Sequence, residues 1–425
     1  MNRSFLSSLT IFGIILFTLG SCNTVDQEEI ETILFDIEEL IQTKAKLDRQ
    51  DPNLTAAYDL LITEAEMALQ EGPYSVTHKE KLPPSGDKHD YASYSRYWWP
   101  DPDKPDGLPY IRRDGDTYPG SQSLAESDRP RIGALGSNTE TLGLAYFLTG
   151  EQKYATKAAE LLRVWFLDEE TLMNPNVNHA QCRLGHNLGS KSGVLDSRLL
   201  IKALEGSLLI KGSSELSEAE YEELRAWVQK YFKWLTTDEM ALAEGASKNN
   251  HGSYYDVQAV YFALYAGDHN AATEIAQTFM ERRILSQIRP DGSMPEEMAR
   301  TRPLFYSMYN LHAMFLVAYL AKRVDVDIWG AHDDNSRLRS ALDFLAPYVD
   351  PDKSWPQPVL VEADRMELFP IMKMADRAYP DGDYHKMVNK LPLDERRNHR
   401  INLVSAVMRW LKQKNNVSTA LQQLT

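Results

Sequence analysis

The sequence predicts an all-α fold: helices paired as hairpins, with long loops at some of the joints. Three observations predict it. Apolar residues recur at three- and four-residue spacing along most of the chain, the period of an amphipathic helix. Runs that alternate apolar and polar residues, the mark of a half-buried strand, are scarce. Two stretches, residues 72–136 and 167–192, interrupt the helical pattern for longer than a plain connector needs. Loops of that length inside a domain are usually either functional or disordered.

The elements follow in order. Residues 23–50 read as a tether with a first helix, and 51–425 as one domain. Leu54, Tyr58, Leu61, Ile62 and Ala65 fall on one helical face. Further helices are expected at 137–149, 152–166, 193–210, 217–235, 254–267, 270–286, 303–322, 336–348, 361–376 and 401–413. Ser217 with Glu220 reads as a capping box, and Pro303 suits a first helical turn. No strict repeat is present, which excludes a short-period solenoid. The first long loop is aromatic-rich (Tyr91, Tyr94, Tyr97, Trp98, Trp99), which argues for order. The second carries Asn178-His179-Ala180-Gln181 and Gly185-His186-Asn187-Leu188-Gly189-Ser190-Lys191. A toroid of helical hairpins with cleft-forming loops at one end fits this pattern, and helix count alone admits other all-α arrangements.

Two stretches carry the chemistry. The first is Lys248-Asn249-Asn250-His251-Gly252-Ser253-Tyr254-Tyr255-Asp256. The second runs from Pro290-Asp291-Gly292-Ser293 through Glu296, Arg300 and Arg302 to Tyr306. An amide, an imidazole, a guanidinium and a phenol can hold a sugar carboxylate and remove the proton beside it. A 1,4-linked uronic acid is cleaved without water when a base takes the C5 proton and the C4–oxygen bond breaks. The charge of the carboxylate must then be offset, and Asn250, His251 and Arg300 are the right residue types. Arg300 stays charged at any working pH.

A free tyrosine titrates near about 10, and an adjacent guanidinium is expected to lower that value. A helix that starts at Pro303 leaves Arg300 in the preceding loop and Tyr306 in the first turns, where they converge. Tyr309 shares the face of Tyr306. In β-D-mannuronate and β-D-glucuronate the C5 proton and the C4 oxygen lie on the same side of the ring, so one tyrosine serves both. In α-L-guluronate they lie on opposite sides and need two groups.

Taken in order, Tyr97-Trp98-Trp99-Pro100-Asp101-Pro102, Gly107-Leu108-Pro109-Tyr110-Ile111-Arg112-Arg113-Asp114, Asn249-Asn250-His251 and the segment 290–306 resemble the alginate lyase family of polysaccharide lyases. The resemblance spans about Tyr91 to Leu316, and glucuronan lyases are similar too. It implies an (α/α) barrel and syn β-elimination of a mannuronan, alginate or glucuronan, without a cofactor. Asn250, His251, Arg300 and Tyr306 match the family's catalytic positions. In alginate-specific relatives the Arg-to-Tyr segment is one residue longer and the Tyr is followed by His-Asn. Here Tyr306-Ser307-Met308-Tyr309 follows, which makes Arg302 a rival for the arginine role. Substrate contacts are expected from Tyr97, Trp98, Trp99, Gln181, His186, Asn187, Asn249, Tyr254, Arg302 and Tyr309, with the aromatics offering flat apolar faces to sugar rings.

Two other readings fit the residues. A glycoside hydrolase would use two carboxylates, drawn from Asp196, Asp256, Glu296 and Glu297. A non-catalytic polysaccharide-binding lipoprotein would keep the aromatics alone. No metal-ligand motif is present.

The N-terminus reads as a targeting segment. One positive charge precedes an apolar run of about 14 residues, short of the roughly 20 that a membrane span needs. Leu19-Gly20-Ser21-Cys22 resembles a bacterial lipobox, which implies lipidation of Cys22 and a lipoprotein in the periplasm or on the outer membrane of a Gram-negative cell. Asp26-Gln27-Glu28-Glu29 resembles the surface-export signals of Bacteroidetes lipoproteins. No later stretch reads as membrane-spanning. Cys182 is the one other cysteine, so no internal disulfide framework is expected. The net charge of −15 excludes a generally basic, nucleic-acid-binding surface. Arg96, Arg112, Arg113, Arg183, Lys191, Lys248, Arg289, Arg300 and Arg302 nevertheless fall in or near the motif segments, so a locally basic cleft on an acidic protein is expected.

Overall fold

A computed structural model describes residues 31–330 and 336–406. Cys22 with the predicted targeting segment, and most of the helix expected at 401–413, lie outside the described residues. Helices α1 (Ile37–Asp48) and α2 (Pro52–Ala68) come first. The first long loop follows and carries three short strands, β1 (Ala92–Tyr94), β2 (Trp98–Trp99) and β3 (Ile111–Arg112). Next come α3 (Arg129–Thr149) and α4 (Gln152–Leu162), then β4 (His179–Cys182) in the second loop. A tight 3₁₀ run, Lys191–Leu199, leads into α5 (Leu200–Leu209) and α6 (Glu218–Thr237). Then follow α7 (Glu239–Gly245), α8 (Asn250–Ala266), α9 (His269–Phe279), α10 (Pro295–Met298), α11 (Pro303–Ala321), α12 (Arg337–Leu345) and α13 (Leu368–Ala378). Two short helices, α14 (Tyr384–Met387) and α15 (Leu393–Asn398), close the series.

These helices form a toroid with an inner and an outer ring. Helix α3 packs on α5, α5 touches α8, and α8 packs on α11. The second helix of each hairpin lies outside its inner partner: α4 on α3, α9 on α8, α12 on α11. Residue choice sets the two rings apart. The outer helices bury one stripe, as with Ala272, Ala276 and Phe279 of α9. Inner helices α8 and α11 are buried on nearly all sides: every residue of α8 except His251 is buried. The stretch Pro303–Val324 is in fact long and apolar enough to span a membrane, contrary to the sequence expectation, but it is buried inside the toroid. The α3–α5 contact is close enough to require glycine. A Cβ on Gly136 would sit 2.4 Å from the Leu199 carbonyl oxygen, and one on Gly206 would sit 2.5 Å from that of Thr139.

The two long loops meet over one end of the toroid. Strand β1 pairs in parallel with β4, and β2 antiparallel with β3. A buried ammonium holds the first loop in place. Lys79 Nζ donates to the carbonyls of Val76, Lys88 and Asp90 at 2.6, 3.0 and 2.8 Å and pairs with Asp128 at 2.9 Å. That anchorage ends the loop at Asp128, so α3 begins eight residues before the expected start at 137. Likewise α8 begins at Asn250 rather than 254, because Asn249 caps it by accepting from His251 N at 3.1 Å. The helix expected from 361 begins only at Leu368. The Ser217–Glu220 capping box and the helix start at Pro303 are as expected.

Candidate active site

The N-terminal ends of the inner helices converge under the loops. Arg129 of α3, Arg198 just before α5, Asn250 and His251 of α8, and Tyr306 and Tyr309 of α11 line one cleft of about 370 Å³. Ser95, Arg96, Tyr97 and Trp98 from the first loop, and Gln181 and Arg183 from the second, form its other walls. Helix N-termini carry partial positive charge and suit an anion. The side chains reinforce this. Arg96, Arg112, Arg129, Arg183, Lys191, Arg198 and Arg300 line the cleft against two carboxylates, Asp114 and Glu244. The chain of net charge −15 therefore folds a basic groove.

Three neighbouring contacts organise one wall. His251, the exception to burial on α8, places Nδ1 on Glu244 of α7, which leaves Nε2 as the ring nitrogen available to the cleft. Asn250 is held from behind by Glu297 of α10, whose carboxylate accepts from the Asn250 backbone N at 2.5 Å and from Nδ2 at 2.8 and 3.0 Å. Arg300 makes a forked pair with Asp114, Nη2 to Oδ1 at 2.8 Å and Nε to Oδ2 at 3.2 Å. Burial pushes the Asp114 carboxyl up, but the Arg300 and Arg112 guanidiniums outweigh it and hold it at about 2.

Arg300 also stacks on Tyr306, with its guanidinium carbon 3.8 Å from the ring centre. The Tyr306 hydroxyl donates to that of Tyr97 at 2.9 Å. The direction of its titration corrects the sequence expectation. Burial raises the Tyr306 phenol well above its ordinary value, Tyr97 adds to this, and the opposing pull of Arg300 does not prevail. Tyr306 is thus a neutral phenol in the free protein.

The remaining predicted residues divide into two groups. Tyr97, Trp98, Gln181, Asn249 and Tyr309 line the cleft with the four central residues. Gln181 holds a left-handed backbone (φ 49°), and its Nε2 donates to the buried Asp196 at 3.1 Å. Trp99, His186, Asn187, Tyr254 and Arg302 do not line it. Trp98 and Trp99 are neighbours on a strand and point to opposite faces. Trp99 is covered by Arg113 and donates to the Asp116 carbonyl at 3.0 Å. His186 packs edge-on against Trp98 and bonds the Tyr110 carbonyl at 2.8 Å, so it supports the wall from outside. Asn187 closes a turn with Arg183. Tyr254 is wholly buried against Tyr309. Arg302 stacks on Phe305 at 4.2 Å. None of the four carboxylates considered for hydrolysis lines the cleft. Asp196 pairs with Arg129, Asp256 with Arg282 and Arg283, and Glu297 with Asn250.

The sequence matches the alginate lyase family model over residues 75–355. The chain belongs to the alginate lyase family. It is a polysaccharide lyase. A crystal structure of an alginate lyase from Bacteroides ovatus is 36% identical, covers 89% of this chain and 100% of its own, and superposes with a TM-score of 0.83. Alginate lyase A1-III from Sphingomonas species A1 shares 17% identity over 88% of this chain and 98% of its own, at a TM-score of 0.56. A histidine-to-alanine variant of A1-III, complexed with tetrasaccharide, is also 17% identical over 84% and 96% of the two chains, at a TM-score of 0.53. At that identity the two A1-III structures show the toroid fold alone. No curated protein sequence matches the chain.

Sequence reasoning missed the carboxylates that hold the side chains of this lyase's cleft wall, Asp114, Glu244 and Glu297. Asp114 ends the segment Gly107 to Asp114, and Glu297 enters the sequence reading only as one of four carboxylates open to a hydrolase. Glu244 carries no signal at all, because its partner His251 lies on another helix at no characteristic spacing.

Proposed function

We propose that the enzyme cleaves a β-D-uronan, mannuronan or glucuronan, by syn β-elimination. Tyr306 serves as base and acid, and His251, Arg300 and Asn250 hold and neutralise the carboxyl group. The observation that carries this reading is the convergence of Arg300, Tyr306, Asn250 and His251 on one basic cleft that holds one phenol stacked on a guanidinium. A neutral Tyr306 suits the syn route. Its oxygen takes the C5 proton while its own proton passes to the departing C4 oxygen, so a C4–C5 double bond forms and the phenol ends as it began. No phenolate need accumulate. The alginate lyase from Bacteroides ovatus, at 36% identity, supports alginate as the polymer. Hydrolysis by two carboxylates is not supported, because Asp114 and Glu244 are tied to Arg300 and His251.

Substitution Tyr306→Phe tests the assignment. It removes the transferable proton and keeps the ring beneath Arg300. Turnover should fall by about 1,000-fold or more, within the range of acid–base catalysis, while oligouronate binding persists. Turnover within a few-fold of wild type would remove Tyr306 from the chemistry.

A further inference from the structure

We infer that Arg96, Arg129 and Arg198 form a second carboxylate site at the floor of the cleft, which takes the acid group of the sugar next to the one that reacts and makes the enzyme select runs of uronates. The site rests on the β-elimination reading above and extends the recognised substrate by one charged sugar.

The floor holds more positive charge than the protein neutralises. Asp196 faces the group and pairs with Arg129. Its remaining capacity is taken. Gln181 Nε2 donates to Oδ1 at 3.1 Å, and the Ser93 and Tyr91 hydroxyls donate to Oδ2 at 2.8 and 3.2 Å. Arg96 and Arg198 have no carboxylate partner among the described residues. Arg96 reaches the Thr117 hydroxyl at 3.5 Å, and Arg198 donates from Nη1 to the Leu195 carbonyl at 2.6 Å. The Nε of each is buried without a hydrogen-bond partner. Arg198 is only 1% exposed, yet both side chains line the cleft. Burial and the nearby Arg129 and Arg198 pull the Arg96 guanidinium down to about 10, which leaves it charged at neutral pH.

A buried cation without an anion is costly. Elsewhere in this protein a buried arginine is met by a carboxylate, as Arg283 is by Asp256 at 2.7 Å. The two guanidiniums of the floor are met by none, and they open onto the cleft that receives a polyanion.

Their position fits a neighbouring sugar. The Arg198 guanidinium carbon lies 5.8 Å from the ring centre of Tyr254, which packs on Tyr309 with ring centres 4.3 Å apart. Tyr309 is three residues beyond Tyr306 on α11, about 4.5 Å further from the helix start. Arg96 directly precedes Tyr97, whose hydroxyl meets that of Tyr306 at 2.9 Å. The cluster is thus beside Tyr306 and about one sugar deeper. A 1,4-linked uronan carries one carboxylate per sugar, so the neighbour of the reacting sugar supplies the missing anion. A neutral neighbour leaves the buried charges unmet.

The test compares an all-uronate tetrasaccharide, of mannuronate or of glucuronate as the wild type prefers, with analogues that keep the carboxyl on one internal sugar and carry a primary alcohol on the others. Only a sugar that keeps its carboxyl can be cut by elimination, so the analogues report the loss of the neighbour's charge. Wild type should favour the all-uronate substrate by about 100-fold in kcat/KM, the scale of a buried charge pair. Arg198→Met should shrink that preference at least tenfold. Arg96→Met, at a less buried position, should do the same and carries the test if Arg198→Met does not fold. A purely structural role would lower turnover of both substrates alike and leave the preference intact, which would overturn the inference. Equal kcat/KM of wild type on both substrates would also overturn it. Inorganic phosphate that then raises the melting temperature of wild type but not of Arg198→Met would assign the cluster to a free anion instead. If wild type makes no unsaturated product even from the all-uronate tetrasaccharides, the β-elimination reading itself fails.

Discussion

Arg300 and Arg302 stand two positions apart and face different surroundings. Arg300 lines the cleft, forks onto Asp114 and stacks on Tyr306. Arg302 lies at the start of α11, against Phe305 and off the cleft wall. Arg300→Ala should therefore lower kcat/KM by about 100-fold or more, the scale of losing a charge-stabilising donor. Arg302→Ala should leave kcat/KM within a few-fold and show its effect in the melting temperature. Steady-state kinetics and calorimetry on the two variants check this, and equal losses of activity would contradict the assignment. At this scale the sequence was legible where residue type and order carried the information: Asn250, His251, Arg300 and Tyr306 do meet. It was illegible where function depends on partners from other elements. Glu244 and Glu297 sit on α7 and α10, and no spacing rule links them to His251 and Asn250. The direction of the Tyr306 titration was also beyond it, because burial and the Tyr97 hydroxyl belong to the assembled loops.

Among the helices, α5 ties the toroid to the start of the described chain. Glu205 of α5 is fully buried and accepts from the backbone N–H groups of Leu34 and Phe35, both at 2.9 Å, and from the Tyr261 hydroxyl at 2.8 Å. Burial outweighs these bonds and raises its carboxyl to about 7. A carboxyl raised on folding binds more protons in the native state than in the unfolded one, where it titrates near about 4.3. Its contribution is thus favourable at the acid side and fades as pH climbs from there to 7, by up to about 3 kcal/mol. Glu205→Gln keeps the oxygen acceptor and removes the charge. Its melting temperature should change less between pH 5 and 7 than that of wild type, measured by calorimetry in that window. Identical slopes for the two proteins would contradict the clamp. Periodicity found the outer helices readily, since their buried stripes are the signal it reads. On α8 and α11, buried all round, the pattern only marks apolar length. Their true starts are set by Asn249 and Pro303, and the start of α3 by the buried Lys79–Asp128 pair, a contact between distant residues.

For the molecule as a whole, charge is divided by sign. The chain carries −15, yet seven basic side chains line the cleft. A polyanion is repelled by most of the surface and drawn to the groove, and both effects are screened beyond about 10 Å at 0.1 M salt. Raising ionic strength from about 0.05 to about 0.5 M should lower kcat/KM about tenfold, mainly through KM, because the attraction acts at encounter. A salt-independent KM would mean that the arginines are structural. The most direct test follows absorbance of the unsaturated uronate while the purified enzyme acts separately on polymannuronate, glucuronan and polyguluronate, with reducing ends counted in parallel. One neutral tyrosine on one face of the ring predicts rising absorbance with polymannuronate or glucuronan and little with polyguluronate. Reducing ends released without that absorbance, or polyguluronate as the preferred polymer, would contradict syn elimination by Tyr306.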